Sequence, residues 1–296
     1  MALYVGRVVP YDLGPMRSSA SPLAALAAAL VLAPTLVDAK PKDAAGGTAR
    51  PACGVTWLPL VEGNTWSYQA TAAPLPATPD IARVAPLFPK GFVITVKSVV
   101  TQGPDTVVTL EEKVTYDMTK DTKKPLIEER LVTSTITCNA KKFDISPESF
   151  FFNAEPGGFT GLSIDKIEHK AAGTTFPFKG GQWADTWRDD VIITWTRKAT
   201  EGSFATFGSG TLELERQYTA QDPETITIKA GVYKAEKIGV QTSGRVTLTP
   251  SLTADLKPME LPGDWVNQLW FVDGVGVVQG LNHYAHMYQL VESTLK

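Results

Sequence analysis

The run Thr211-Leu212-Glu213-Leu214-Glu215-Arg216-Gln217-Tyr218 decides the fold class. Leu212, Leu214 and Tyr218 alternate with Thr211, Glu213, Glu215 and Gln217, so one side of the run is apolar and the other polar. Successive side chains of a strand point to opposite faces, and this period of two is that of a half-buried antiparallel strand. The pattern recurs along the chain. Val108, Leu110, Val114 and Tyr116 alternate with Thr109, Glu111, Lys113 and Thr115. Phe92, Ile94 and Val96 alternate with Val93, Thr95 and Lys97, and Val191, Ile193 and Trp195 with Ile192, Thr194 and Thr196. Threonine is frequent throughout, which suits strands and handicaps helices. Turns are expected at Gln102-Gly103-Pro104-Asp105, Phe207-Gly208-Ser209-Gly210, Lys229-Ala230-Gly231 and Asp273-Gly274.

Helix signals are few. Pro79 to Leu87 has room for one or two turns, with Pro79-Asp80 as a start and Pro89 as a stop. Residues 146–181, rich in glycine and proline, read as an irregular excursion between two strand-rich halves. Each half opens alike, with Leu58-Pro59-Leu60 before Gly63-x-x-Trp66 and Phe176-Pro177-Phe178 before Gly180-x-x-Trp183. The expected architecture is all-β, a large curved antiparallel sheet forming a half-barrel or open barrel with very few helices.

The front of the chain reads as a leader. Met16-Arg17 supplies a basic start, Leu23 to Leu36 an apolar stretch, and Val37-Asp38-Ala39 the small residues of a cleavage site. Residues 1–39 are therefore expected to be leader and signal peptide, with translation starting at Met16 and cleavage after Ala39. The alternative is an uncleaved N-terminal anchor, although the apolar stretch is shorter than the ~20 residues of a spanning helix. Residues 40–52 read as a flexible linker and 53–296 as a single β domain. The net charge of -3 is unchanged by the leader, which holds Arg7, Arg17, Asp12 and Asp38. That near balance argues against nucleic acid or an anionic membrane surface as partner. No later segment is apolar enough to span a membrane as a helix.

Cys53 and Cys138 are the two cysteines of the chain. In an exported protein they are expected to form a disulfide that pins the front of the domain to a strand. The alternative is two unlinked small apolar residues. No second ligand sits near either in the sequence, so no metal site is expected.

Three stretches carry a family resemblance. They are Leu58-Pro59-Leu60-Val61-Glu62-Gly63-Asn64-Thr65-Trp66, Ala230-Gly231-Val232-Tyr233 and Trp270-Phe271-Val272-Asp273-Gly274-Val275-Gly276-Val277-Val278. In these the chain resembles the TapB-like bacterial envelope proteins and their lipoprotein relatives, and more loosely the half-barrels of the lipoprotein-carrier kind. The resemblance implies an all-β exported protein, periplasmic or secreted, whose curved sheet presents one concave face. Two departures stand out. Phe271-Val272-Asp273 occupies the place where relatives more often have Tyr-Ala-Pro, and no cysteine follows the apolar stretch as a lipid-anchor site.

Chemistry-bearing residues are sparse. His283 and His286, three apart on an expected strand, would point to opposite faces and so not share a metal ion. Trp183-Ala184-Asp185-Thr186-Trp187-Arg188-Asp189-Asp190 mixes rings and carboxylates. A hydrolase would use two of Asp185, Asp189 and Asp190 as acid and base, while the plainer reading is an edge or turn. No Gly-x-Ser-x-Gly elbow and no phosphate-cradling loop occurs. No catalytic residue and no cofactor is expected. The tryptophans are expected either to fill the core or to line a concave groove, with Trp66, Tyr68, Trp183, Trp187, Trp195 and Trp270 as the groove candidates. The sequence thus points to a non-enzymatic envelope protein binding a lipid or other apolar ligand. A structural or secretion-associated module with a protein partner in the envelope is the alternative, and a carboxylate-dependent hydrolase the second.

Overall fold

The computed structural model describes residues 50–71, 88–119, 123–158, 162–170, 175–176, 183–197, 207–250, 259–260 and 265–296. The leader, most of the linker and the helix expected at Pro79–Leu87 lie outside the described residues. The domain begins with a 3-10 turn at Ala52–Gly54, and Ala52 is buried with its N–H on Leu60 O. The packed domain therefore takes in the end of the expected linker.

Among the described residues thirteen strands follow: β1 Thr65–Thr71, β2 Gly91–Gln102, β3 Asp105–Asp117, β4 Ile127–Cys138, β5 Phe143–Ile145, β6 Leu162–Lys170, β7 Thr186–Arg197, β8 Phe207–Ile228, β9 Gly231–Pro250, β10 Met259–Glu260, β11 Trp265–Val272, β12 Gly276–Leu281 and β13 Met287–Thr294. They form one antiparallel sheet in the order β5-β4-β3-β2-β1-β13-β12-β11-β9-β8-β7-β6, with β10 beside β9. The all-β, curved and open architecture read from the sequence is what the chain adopts. Two meanders, β1–β5 and β6–β13, are joined through the pairing of the first strand with the last. The sheet does not close, so β5 and β6 are its edges.

The alternation places the expected residues inward. Leu212, Leu214 and Tyr218, and Val108, Leu110, Val114 and Tyr116, are all buried. Three expected turns are present. Gly103 (φ 61°) lies between β2 and β3, Lys229-Ala230 joins β8 to β9, and Gly274 (φ 73°) lies between β11 and β12. The fourth is not a turn, because Phe207–Gly210 belongs to β8. Gly210 is there for packing: a Cβ at that position would lie 2.6 Å from Trp195 Cζ2.

The stretch expected to be irregular contains two ordered elements. A single helical turn, α1 Phe150–Asn153, is capped by Ser149 and ends at Ala154 in the left-handed region (φ 58°). Strand β6 follows. Its register shifts between Ile164 and Lys166, so its inward residues fall at Ile164 and Ile167 and break the period of two that reveals a strand.

Two of the three resemblance stretches meet in space. Trp66 donates its indole N–H to Val275 O at 2.6 Å, and Gly274 N bonds to Thr56 O at 3.0 Å. A Cβ on Gly276 would approach Trp66 Nε1 to 3.0 Å. These residues pack the front of the domain against the β11–β12 hairpin. Cys53 and Cys138 are disulfide-bonded, Cα atoms 6.1 Å apart, which ties the same front segment to β4.

Candidate functional site

Two buried charges of the inward register, one in each meander, stand where the pattern calls for an apolar residue and face the same segment of chain. On β3 it is Glu112, between Leu110 and Val114, and on β8 it is Arg216, between Leu214 and Tyr218. Both grip the connecting segment after β5, residues 149–157, on the inside of the sheet. The Glu112 carboxylate accepts from Phe150 N at 2.7 Å, Gly157 N at 3.0 Å and Ser149 Oγ at 3.3 Å. Arg216 donates to Phe152 O and lies over the Phe152 ring at 3.6 Å. Burial pushes the Glu112 carboxyl up to about 7, against the pull of its three donors.

Between these clamps, α1 drives three phenylalanines into the concave face. Phe150, Phe151 and Phe152 are 0%, 0% and 2% exposed. Phe150 sits 4.7 Å from Phe92 of β2, 5.1 Å from Tyr68 of β1 and 6.1 Å from Tyr288 of β13, ring centre to ring centre. Gly280 of β12 makes the room, since a Cβ there would lie 2.6 Å from Phe150 Cζ. Phe151 meets Trp66 edge to face at 6.0 Å. The segment is therefore a plug that fills the inside of the sheet.

Three of the six aromatic candidates, Trp66, Tyr68 and Trp195, belong to this filled interior, whereas Trp270, between inward-facing Leu269 and Phe271, packs beside Lys237 and Glu224 on the other face of β11. Trp66, Tyr68, Trp195 and Trp270 are buried. Tyr68 donates its hydroxyl to Val277 O at 2.7 Å, and Trp270 its indole N–H to Glu224. Trp183 and Trp187 are half-buried and stack on each other at 5.8 Å, while Trp187 bonds to Thr175 O at 3.0 Å and lies flat on Tyr218 at 4.8 Å. These six side chains do not line one common surface.

The acidic cluster is divided by the strand. Asp189 faces inward, fully enclosed, and hydrogen-bonds His169 Nδ1 at 2.7 Å. Asp190 faces the other way and pairs with Arg188 at 2.7 Å, and Asp185 is exposed in the turn before β7. Asp189 and Asp190 thus do not share a site. His169 Nε2 faces Asp144 Oδ1 at 3.9 Å, and Arg216 Nη1 lies 3.9 Å from Asp189 Oδ2. Burial opposes the charge on His169, but its hydrogen bond to Asp189 and the two neighbouring carboxylates outweigh burial and raise its pKa. Among the described residues the group facing the second ring nitrogen is the Asp144 carboxylate rather than a hydroxyl or thiol that the Asp189–His169 pair could activate.

His283 and His286 lie in the turn before β13 rather than on a strand, with Ala285 between them at φ 62°. Asn282 Oδ1 accepts from Tyr284 N and His286 N, and Asn267 Oδ1 of β11 accepts from His283 N. Burial pulls His283 down to about 4, with His286 adding to the effect. Among the described residues no group of three or more His, Cys, Asp or Glu side chains is arranged to hold a metal ion. At the same mouth, burial raises Glu155 to about 7 and, with Glu155 nearby, raises Tyr284 to about 12.

The two edges of the sheet face each other along a seam. At one end it is fastened. Phe176 N bonds to Phe143 O at 3.2 Å, Ile145 N bonds to Thr175 Oγ1 at 3.3 Å, and His169 of β6 reaches Asp144 of β5. Further along, the seam opens into a cleft of about 230 Å³ lined by Thr133, Ser134 and Thr135 of β4, by Ser146 and Glu148, and by residues 164–167 of β6.

No family model and no curated protein matches the chain. The fold is similar to two solved structures. One is a candidate exported protein with a YmcC-like fold from Bacteroides fragilis, 12% identical with a TM-score of 0.41, covering 81% of this chain and 99% of that one. The other is a candidate lipoprotein from Parabacteroides distasonis, 13% identical with a TM-score of 0.45 and the same coverage. Among the described residues no helix is long and apolar enough to cross a membrane.

Proposed function

We propose that this chain is an exported, non-enzymatic module of the bacterial cell envelope that works by holding a partner protein on its outside. The observation that carries the reading is the plug. Phe150, Phe151 and Phe152, clamped by Glu112 and Arg216, occupy the concave face on which a half-barrel carrier would receive its ligand. A face that already buries its apolar area has little left to gain from a lipid, because the driving force is apolar surface removed from water, ~25 cal/mol per Å². The leader and the resemblance to TapB-like envelope proteins support the address. Photo-crosslinking the protein in intact envelopes tests the reading: covalent adducts to one envelope protein are expected, and adducts only to lipid would overturn it.

A second reading keeps an apolar ligand but moves it off the concave face. Trp57, Trp183 and Trp187 form a ladder of half-buried rings, with Trp57 5.8 Å from Trp183. A ligand there would quench their fluorescence on titration, and Trp183→Ala would abolish the effect.

A further inference from the structure

Building on the partner-holding reading, we propose that the open part of the seam receives an extended segment of another polypeptide, added as a β-strand between β4 and β6. Four observations converge on it. The first is the state of the two edges. Thr135 N and O turn away from β3 to bond Ser146, so the alternation of an antiparallel ladder turns the N–H and C=O groups of Thr133, Leu131, Glu129 and Ile127 the same way. β5 covers only the end of β4, from Ile136 to Cys138. Among the described residues no strand pairs with β4 from Ile127 to Thr133 on that side, or with β6 on the side away from β7. A bare edge is a ready template for strand addition.

The second observation is the Ser134 hydroxyl. Ser134 is 2% exposed and lines the cleft, and its hydroxyl has no hydrogen-bond partner among the described residues. A buried hydroxyl left without a partner costs free energy that an occupant of the cleft would restore. The third is apolar exposure on the same edge. Leu126, Ile127 and Leu131 are 59%, 47% and 63% exposed. The fourth is continuity with a contact the chain already makes. The fastened end of the seam is closed by Thr175 and Phe176, whose hydroxyl and backbone N–H bond to the backbone of β5. The cleft continues that line.

The expected occupant follows from these residues. It is extended, carries a small polar side chain facing inward opposite Ser134, and places apolar side chains outward beside Leu131. Its backbone would use the free donors and acceptors of both edges, as in other cases of strand addition.

The test places a photo-crosslinking benzoylphenylalanine at Leu131, and separately at Val232 on the β8–β9 hairpin, in the full protein within intact envelopes. Adducts from Leu131 are expected to map to alternate residues of one segment of one partner. That segment, synthesised, is expected to slow amide exchange at Leu131 and Thr133. Ser134→Ala and Leu131→Pro are each expected to weaken the peptide by up to about tenfold, the worth of one hydrogen bond, with the melting temperature of the Ser134→Ala protein unmoved. Should Leu131→Pro fail to fold, Ser134→Ala reads the same interaction without it. Protein adducts at Val232 alone would overturn the seam proposal while leaving the partner reading intact. Adducts at neither position would overturn both. Edge amides already protected in the free protein, or protected only as its own concentration rises, would also overturn the proposal, the latter in favour of a second copy.

Discussion

The interior of the sheet and its seam handle the same problem in opposite ways. Inside, the buried charges Glu112 and Arg216 find partners on the plug. Glu112 has three donors and Arg216 has a carbonyl and a ring. Along the open seam, strand edges and the Ser134 hydroxyl have no partner among the described residues. Among the described residues the interior also keeps polar atoms without a hydrogen-bond partner, Arg216 Nη1 and the Tyr218 and Tyr288 hydroxyls among them, but those are enclosed by the chain, whereas Ser134 lines a cleft that an outside strand can reach. Self-completion marks what the fold needs for stability, and the incomplete rim marks where an outside strand has something to offer.

Substitutions that empty the interior should have the largest effect. Phe150→Ala removes a ring packed against Tyr68, Phe92 and Tyr288, and is expected to cost toward the upper end of ~3–5 kcal/mol in urea unfolding. Leu131→Ser on the seam should stay within about 0.5 kcal/mol, as surface changes do. Equal effects would erase the contrast. Removing the disulfide, which closes a separation of 85 residues, is expected to cost about 4 kcal/mol in the chain-entropy picture. Comparing Cys53→Ser/Cys138→Ser with the oxidised parent measures it.

The buried carboxyls give the interior a pH signature. Glu112 and Glu155 bind protons more tightly folded than unfolded, with folded values of about 7. Their contribution is full below the ordinary glutamate value and is lost as pH rises through about 7. Stability should therefore fall between pH 5 and pH 8, by about 3 kcal/mol for Glu112 alone if its whole shift is expressed. Glu112→Gln should flatten that slope, and an unchanged slope would remove Glu112 as its source. His169 acts in the same direction at the fastened end of the seam. Its raised pKa means that its support is complete below the ordinary histidine value and fades as pH rises through the folded one. His169→Gln is expected to cost about 1 kcal/mol at pH 5.5 and less at pH 9, with faster amide exchange in β5 and β6.

Much of this architecture is legible in the residues. The alternation at Leu212-x-Leu214 and Val108-x-Leu110 reads as strand because each inward residue is apolar, and the turn at Gln102–Asp105 reads correctly because Gly103 needs a positive φ. The elements that escape such reading do so for particular reasons. Glu112 and Arg216 interrupt apolar registers, and a charge in an inward register is the signal that points to a buried clamp. Strand β6 is hidden by its bulge, which sets Ile164 and Ile167 three apart. Gly208 and Gly210 read as a turn, whereas Gly210 is a glycine because Trp195 lies against it. The plug is the hardest case. Its glycines and prolines look like a surface excursion, and it is turned inward by contacts distant in sequence, the clamps Glu112 and Arg216 and the room left by Gly280, 130 positions beyond Phe150. Ser134 gives no local signal, since its significance arises from the edge it occupies.

The most direct test of the account is native mass spectrometry of the protein purified from its own envelope without detergent. A filled interior predicts the bare mass of the processed chain, with no lipid adduct at any gentle ionisation setting. A stoichiometric lipid adduct that disappears when Phe150 is enlarged to tryptophan, in a variant that still folds, would show that the concave face is a binding site and contradict the account.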